Sequence, residues 1–97
     1  MNVSHGTVAV TGASGTVLAA NANRRYLLLQ NDDASATIYL RLGTAAAVLN
    51  SGLRLNAAGG SHEMTMPAGN LWTGAITGIV ASGTARLLYT QGTAAMA

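Results

Sequence analysis

Turn-forming residues interrupt this chain at short intervals, at Gly12–Gly15, Asn31–Ser35, Asn50–Gly52, Ala58–Gly60, Pro67–Asn70 and Ser82–Gly83. Glycine supplies backbone conformations that other residues avoid, and Asn, Asp and Ser hydrogen-bond to nearby backbone, so each cluster favours a change of direction. The segments between them are short and rich in β-branched and aromatic residues. That rhythm belongs to an all-β domain, a single compact sandwich or barrel, rather than to alternating strands and helices. It predicts about seven to eight short antiparallel strands: Thr7–Thr11, Thr16–Ala20, Arg25–Asn31, Thr37–Leu42, Leu53–Asn56, Glu63–Met66, Leu71–Ile76 and Ala85–Thr90.

Side chains alternate across a strand, so period two shows which face is buried. Ile38, Leu40 and Leu42 share one face while Tyr39 and Arg41 share the other; Leu53 and Leu55 alternate likewise with Arg54 and Asn56. By contrast, Tyr26–Leu29 and Leu87–Tyr89 are apolar on both faces. In a single thin domain only one of those faces looks into the core, so the other calls for cover by a neighbouring subunit. Ala45–Ala47 make Thr44–Leu49 the one helix-favouring stretch, but six residues without packing give only a loop or a single turn. Residues 1–97 read as one domain, with Met1–Gly6 and Gly92–Ala97 expected as flexible terminal arms because neither shows periodicity.

Charge sharpens the expectation of a partner. Only 8% of the 97 residues are charged, Lys is absent, and 49% are hydrophobic, against about 25% charged in an ordinary soluble domain. Such a chain covers itself with Thr, Ser, Asn and Gly, or with another protein. Five scattered Arg against three acids are too few for a nucleic-acid stripe. No apolar run reaches the length of a membrane helix, and the first residues lack the pattern of a secretory leader. Without Cys there is neither a disulfide nor a thiolate metal site.

Val8–Thr11 leading into Gly12-Ala13-Ser14-Gly15 has the form of a dinucleotide-binding turn, with Asp32 near the distance of a ribose-binding acid. Leu18 occupies the third small position, Asn21-Ala22-Asn23 interrupts the required helix, and the chain is too short for a doubly wound sheet. The segment is instead expected to be a hairpin turn. His5 and His62 lie too far apart for a ligand spacing, and the neighbours Ser61, His62 and Glu63 point to alternating faces of a strand. Asp32-Asp33 reads as a turn whose carboxylates accept backbone N–H groups. No acid–base set emerges, so neither an enzyme nor a cofactor or metal is expected.

The remaining distinctive residues suit protein contact. Arg carries a planar, weakly hydrated fork fitted to interface ion pairs, which makes Arg24, Arg25, Arg41, Arg54 and Arg86 candidate partner-binding residues. Trp72, the single Trp, is a candidate interface anchor.

The order Asn23-Arg24-Arg25-Tyr26-Leu27-Leu28-Leu29-Gln30-Asn31, then Ile38-Tyr39 ending at Gly43, resembles small structural proteins of tailed bacteriophages. Gly52-Leu53-Arg54-Leu55 leading to Gly59-Gly60-Ser61-His62-Glu63, and Ile76-Thr77-Gly78-Ile79 leading to Gly83-Thr84-Ala85, continue the likeness over roughly 23–92. The resemblance implies a compact β domain of the virion. Its expected role is an oligomeric capsid decoration or cement protein on the capsid surface, a homotrimer before a dimer, bridging subunits of the major capsid protein. The alternative is a small binding module of a head or tail fibre that attaches to the host surface.

Overall fold

The structure, a computed structural model, describes residues 2–94. It contains eight strands: β1 (Asn2–Thr11), β2 (Gly15–Leu18), β3 (Arg24–Asn31), β4 (Ile38–Leu42), β5 (Leu53–Leu55), β6 (Ser61–Thr65), β7 (Ile76–Val80) and β8 (Thr84–Thr93). They pair as nested antiparallel couples, β4 with β5, β3 with β6, β2 with β7 and β1 with β8. The chain is thus one long hairpin, folded at the β4–β5 connection and rolled up. Two further pairings, β3 with β8 and β4 with β7, close the roll into sheets of order β1-β8-β3-β6 and β2-β7-β4-β5. An eight-stranded double sheet wound in this way is a jelly roll. The expected all-β sandwich is therefore the fold.

The core lies between the sheets. Val10, Leu27, Leu29, Met64, Ala85 and Leu87 face it from the first, and Val17, Leu18, Ile38, Leu40, Leu55, Ile76 and Val80 from the second. Two bulges tune what enters. In β2, Thr16 and Leu18 oppose consecutive β7 residues, so Val17 is extra and both Val17 and Leu18 turn inward. A Cβ on Gly78 would stand 2.9 Å from Val17 and 3.1 Å from Leu40, so glycine leaves room on β7 for the inward side chains of the flanking strands β2 and β4. In β3, Arg24 and Tyr26 oppose Thr93 and Gly92, making Arg25 the extra residue.

That second bulge sends Arg24 into the interior, where it is fully buried. Its Nε donates to Gln91 Oε1 (2.7 Å), Nη1 to the carbonyls of Trp72 (2.8 Å) and Gly74 (3.1 Å), and Nη2 to that of Ala19 (2.8 Å). One side chain therefore ties the β2–β3 and β6–β7 connections to the centre of the first sheet. Burial lowers its pKa from the usual value. At the other end of β3, Asn31 is also fully buried. Its Nδ2 donates to Ala36 O (2.7 Å) and Leu55 O (3.0 Å), and its Oδ1 accepts the Asp33 N–H (2.9 Å), joining β3 to β5 of the opposite sheet.

Four expectations are corrected. Thr11–Gly15 is not a hairpin turn; it is a corner that carries the chain from β1 in one sheet to β2 in the other. The seventh strand is Ile76–Val80 rather than Leu71–Ile76, since residues 71–75 serve as a connection held by Arg24. Asn2–Gly6 is not an arm, because it forms the first half of β1 and pairs with β8 through Thr93. Gly92 and Thr93 likewise complete β8; Met1 and residues 95–97 of the expected arms lie outside the described residues. As expected, residues 44–49 are loop.

Replacing Arg24 by Ala strands three carbonyls and one amide oxygen in the interior, at about 1–3 kcal/mol for each group left unsatisfied. Arg24→Ala should lose at least ~3 kcal/mol, lowering the melting temperature by roughly 12–24 °C for a domain of this size. Arg24→Lys, a single point donor, should recover only part of it. Thermal unfolding followed by circular dichroism checks both.

Candidate interaction surface

The outer face of the first sheet is a grid fixed by strand register. One row runs Val3, Gly92, Tyr26 and Thr65; the next His5, Thr90, Leu28 and Glu63; the third Thr7, Leu88, Gln30 and Ser61. Leu28 and Leu88 are half-buried, and Val3 is exposed. These rows are apolar and hydroxyl-bearing with Glu63 their one acid, and the next row carries Ala9 and Arg86, the latter beside Asp32. Tyr26 donates to Glu63 Oε2 at 2.6 Å, which raises the phenol pKa above its ordinary value. His5 Nδ1 and Thr90 Oγ1 share a hydrogen bond at 2.9 Å. Beside this grid, an open groove of about 510 Å³ is lined by Thr7, Ala9, Thr84, Asp32, Asp33 and Arg86, among others.

The second sheet is covered differently. Gly43–Gly52, the β4–β5 connection, folds back over its outer face. Ala45 O accepts from Thr77 Oγ1 (2.8 Å), which closes over that buried threonine, and Ala47 N–H donates to Ser14 Oγ (2.7 Å). Val48 and Leu49 remain exposed on this loop. Next to it Tyr39 on β4 lies opposite Arg54 on β5, with Arg41 two residues along β4. Tyr39 donates to Asn50 Oδ1 (2.9 Å), Arg41 reaches Ala46 O only at 3.5 Å, and Arg54 Nε donates to Asn56 Oδ1 (3.0 Å). All three acids of the chain lie elsewhere, in β6 and the β3–β4 connection.

The candidate residues therefore do not form one site. Arg24 is enclosed and its donors are used within the chain, so it is not a partner-binding residue; the period-two reading could not foresee the bulge that turns it inward. Arg25 is exposed, with Nη1 donating to Arg24 O (3.1 Å) and Ala22 O (3.4 Å). Arg86 pairs within the chain with Asp32 at 3.7 Å, both well exposed, a contact worth under about 1 kcal/mol. Trp72 is 37% exposed. Its Nε1 donates to Ala75 O (2.9 Å) and its ring lies where a Gly74 Cβ would be, so much of it packs on its own connection. Arg41 and Arg54, with Tyr39, are what the fold brings together. Tyr39 and the exposed loop pair Val48–Leu49 were missed by sequence reasoning, although Tyr39 lay on the polar face of a clearly alternating strand.

Asp33 does what its turn position suggests. Its Oδ2 accepts the N–H groups of Ala36 (2.6 Å) and Ser35 (3.0 Å), which hold its pKa below the ordinary 3.8. Among the described residues, no three His, Cys, Asp or Glu side chains converge as metal ligands, and no helix is long and apolar enough to cross a membrane. Comparisons with protein-family models, curated proteins and solved structures found no match.

A carboxylate with a depressed folded pKa contributes stability above its unfolded pKa and loses it as pH falls through the folded value. Wild-type stability should therefore decline as pH drops below about 4. Asp33→Asn, which keeps an acceptor but no charge, should show a flatter profile over that window in urea titrations at several pH values.

Proposed function

We propose that this chain is a non-enzymatic structural protein of a phage virion, an oligomeric decoration protein that attaches to the outside of the capsid and bridges its subunits. The observation that carries the reading is the charge asymmetry of the sandwich. Arg41 and Arg54 flank Tyr39 on the outer face of the second sheet, beside exposed Val48 and Leu49, with no acid on that face. Arg and Tyr around an apolar centre match the composition of protein interfaces, and the partner that fits is an acidic, partly apolar surface of the shell. The jelly-roll topology agrees by analogy, since viral capsid and lectin domains also use it, but a fold by itself assigns no function. The sequence resemblance to small phage structural proteins supports the same role.

An oligomer touching several capsid subunits converts later contacts into intramolecular ones, so weak single contacts suffice. Particles lacking the protein should assemble but release their genome at lower temperature, and added protein should restore resistance at saturating stoichiometry. The double variant Arg41→Ala/Arg54→Ala should attach about tenfold more weakly, as expected for two partly exposed ion pairs of up to ~1 kcal/mol each. Particles that lack the protein, stay equally heat-stable and fail to adsorb to cells would instead make it a binding module of a fibre.

A further inference from the structure

A double sheet that is not closed into a barrel has four edges, here β1 and β6 in the first sheet and β2 and β5 in the second. Exposed edges invite pairing with other chains, and proteins block them with short strands, bulges, charges or covering groups. Three of these four are blocked. β2 has four residues and a bulge. β5 has three residues and carries Arg54. On β6, the side chain of Asn70 occupies the position of a neighbouring strand: Nδ2 donates to Glu63 O (3.0 Å) and Oδ1 accepts the Thr65 N–H (3.0 Å). β1 carries none of these devices. It has ten residues, pairs with β8 one for one without a register shift, and contains no proline and no Arg, Lys, Asp or Glu.

The backbone groups on that edge can be identified. Arg86 O accepts the Asp32 N–H (2.9 Å) and Ala94 N–H donates to Asn23 O (2.8 Å), so the even-numbered residues of β8 turn their backbone toward β3. The odd-numbered ones therefore face β1. Through the register they bond Asn2, Ser4, Gly6, Val8 and Val10. Val3, His5, Thr7, Ala9 and Thr11 are left with N–H and C=O groups pointing away from the sheet, as antiparallel alternation requires.

We infer that this edge joins two copies of the chain, β1 to β1, antiparallel about a two-fold axis. The pairing merges two four-stranded sheets into one of eight strands. A second copy is the occupant that fits. The strand bears no formal charge, so pairing with itself opposes no like charges. A two-fold axis also consumes both free edges at once and closes the assembly. Full overlap of the five outward residues places Thr7 on the axis, Val3 against Thr11 and His5 against Ala9, and forms up to about ten backbone hydrogen bonds. The inference rests on the oligomeric part of the reading above and not on its virion part. It also selects a dimeric contact where a trimer was the first expectation from sequence.

Sedimentation and light scattering at tens of micromolar test it. The wild type should have twice the 9.7 kDa chain mass. Thr7→Pro removes an outward N–H without touching a bond to β8, and Thr7→Lys sets two like charges on the axis. Both should be monomeric with an unchanged β-sheet dichroism spectrum; if the proline variant misfolds, the lysine variant decides. Asn70→Ala, which opens the β6 edge, should add species larger than the dimer. A monomeric wild type would overturn both this inference and the oligomeric reading. A wild-type oligomer whose mass is unaltered by Thr7→Lys would overturn the β1 edge alone.

Discussion

Strand β3 is anchored at each end by a buried polar side chain, and closure of the sandwich depends on those two anchors. Arg24 gathers Ala19 O, Trp72 O, Gly74 O and Gln91 Oε1 at one end, and Asn31 gathers Ala36 O, Leu55 O and the Asp33 N–H at the other. Buried donors with every partner in place hold connections that apolar packing alone leaves non-specific. No buried side-chain N or O atom among the described residues lacks a partner. Arg24 reaches this without a carboxylate: carbonyl dipoles replace the counter-ion, and the planar fork suits four acceptors in a way that a Lys ammonium does not. With Cys absent and the core thin, these two clusters do at the ends of the roll what disulfides do in other small domains.

Once the ends are closed from within, the outside is free for association. The two sheets use their outer faces differently. The second is partly covered by its own Gly43–Gly52 connection and presents Tyr39, Arg41 and Arg54 beside it. The first remains bare, with Leu28 and Leu88 half-buried in a field of Thr, Gln and Ser. Its β1 edge is left open while the opposite β6 edge is shielded by Asn70. Under the proposed function, this division would let one side of the sandwich meet a copy of itself and the other a charged partner, so that assembly and attachment would not compete for one surface.

Much of this was legible in the residues. Alternation in Thr37–Leu42 and Leu53–Asn56 placed β4 and β5 and the inward side chains of Ile38, Leu40 and Leu55, because one face is buried and the other wet; Leu42, at the end of β4, is exposed. The doubly apolar runs at Tyr26–Leu29 and Leu87–Tyr89 marked β3 and β8, the strands inside the first sheet. The bulges were not legible: strict period two puts Arg24 on the same face as Tyr26, and only the extra residue Arg25 turns it inward. Asn2–Gly6 lacks any apolar rhythm and becomes strand because β8 extends alongside it. Leu71-Trp72 looked more like strand than Ile76-Thr77-Gly78, since glycine weakens the local preference; yet that glycine is what the close approach of Val17 and Leu40 requires. Nothing local distinguishes the Thr11–Gly15 corner from a hairpin, because the choice of sheet is made by distant pairings. The site was partly legible for the same reason. The spare polar face of β4 showed Arg41, whereas its assembly with Arg54 and the folded-back loop is tertiary.

By the inference above, each chain is a finished roll with one sheet edge reserved for another copy. Residue-resolved amide hydrogen exchange probes that edge residue by residue, because the register divides β1 into two alternating sets. At a concentration where the protein is assembled, the amides of Val3, His5, Thr7, Ala9 and Thr11 should exchange slowly, as should those bonded to β8. On dilution to monomer, only the outward set should become fast. Rapid exchange of the outward set in the assembled protein would mean that β1 is not the edge that joins the copies.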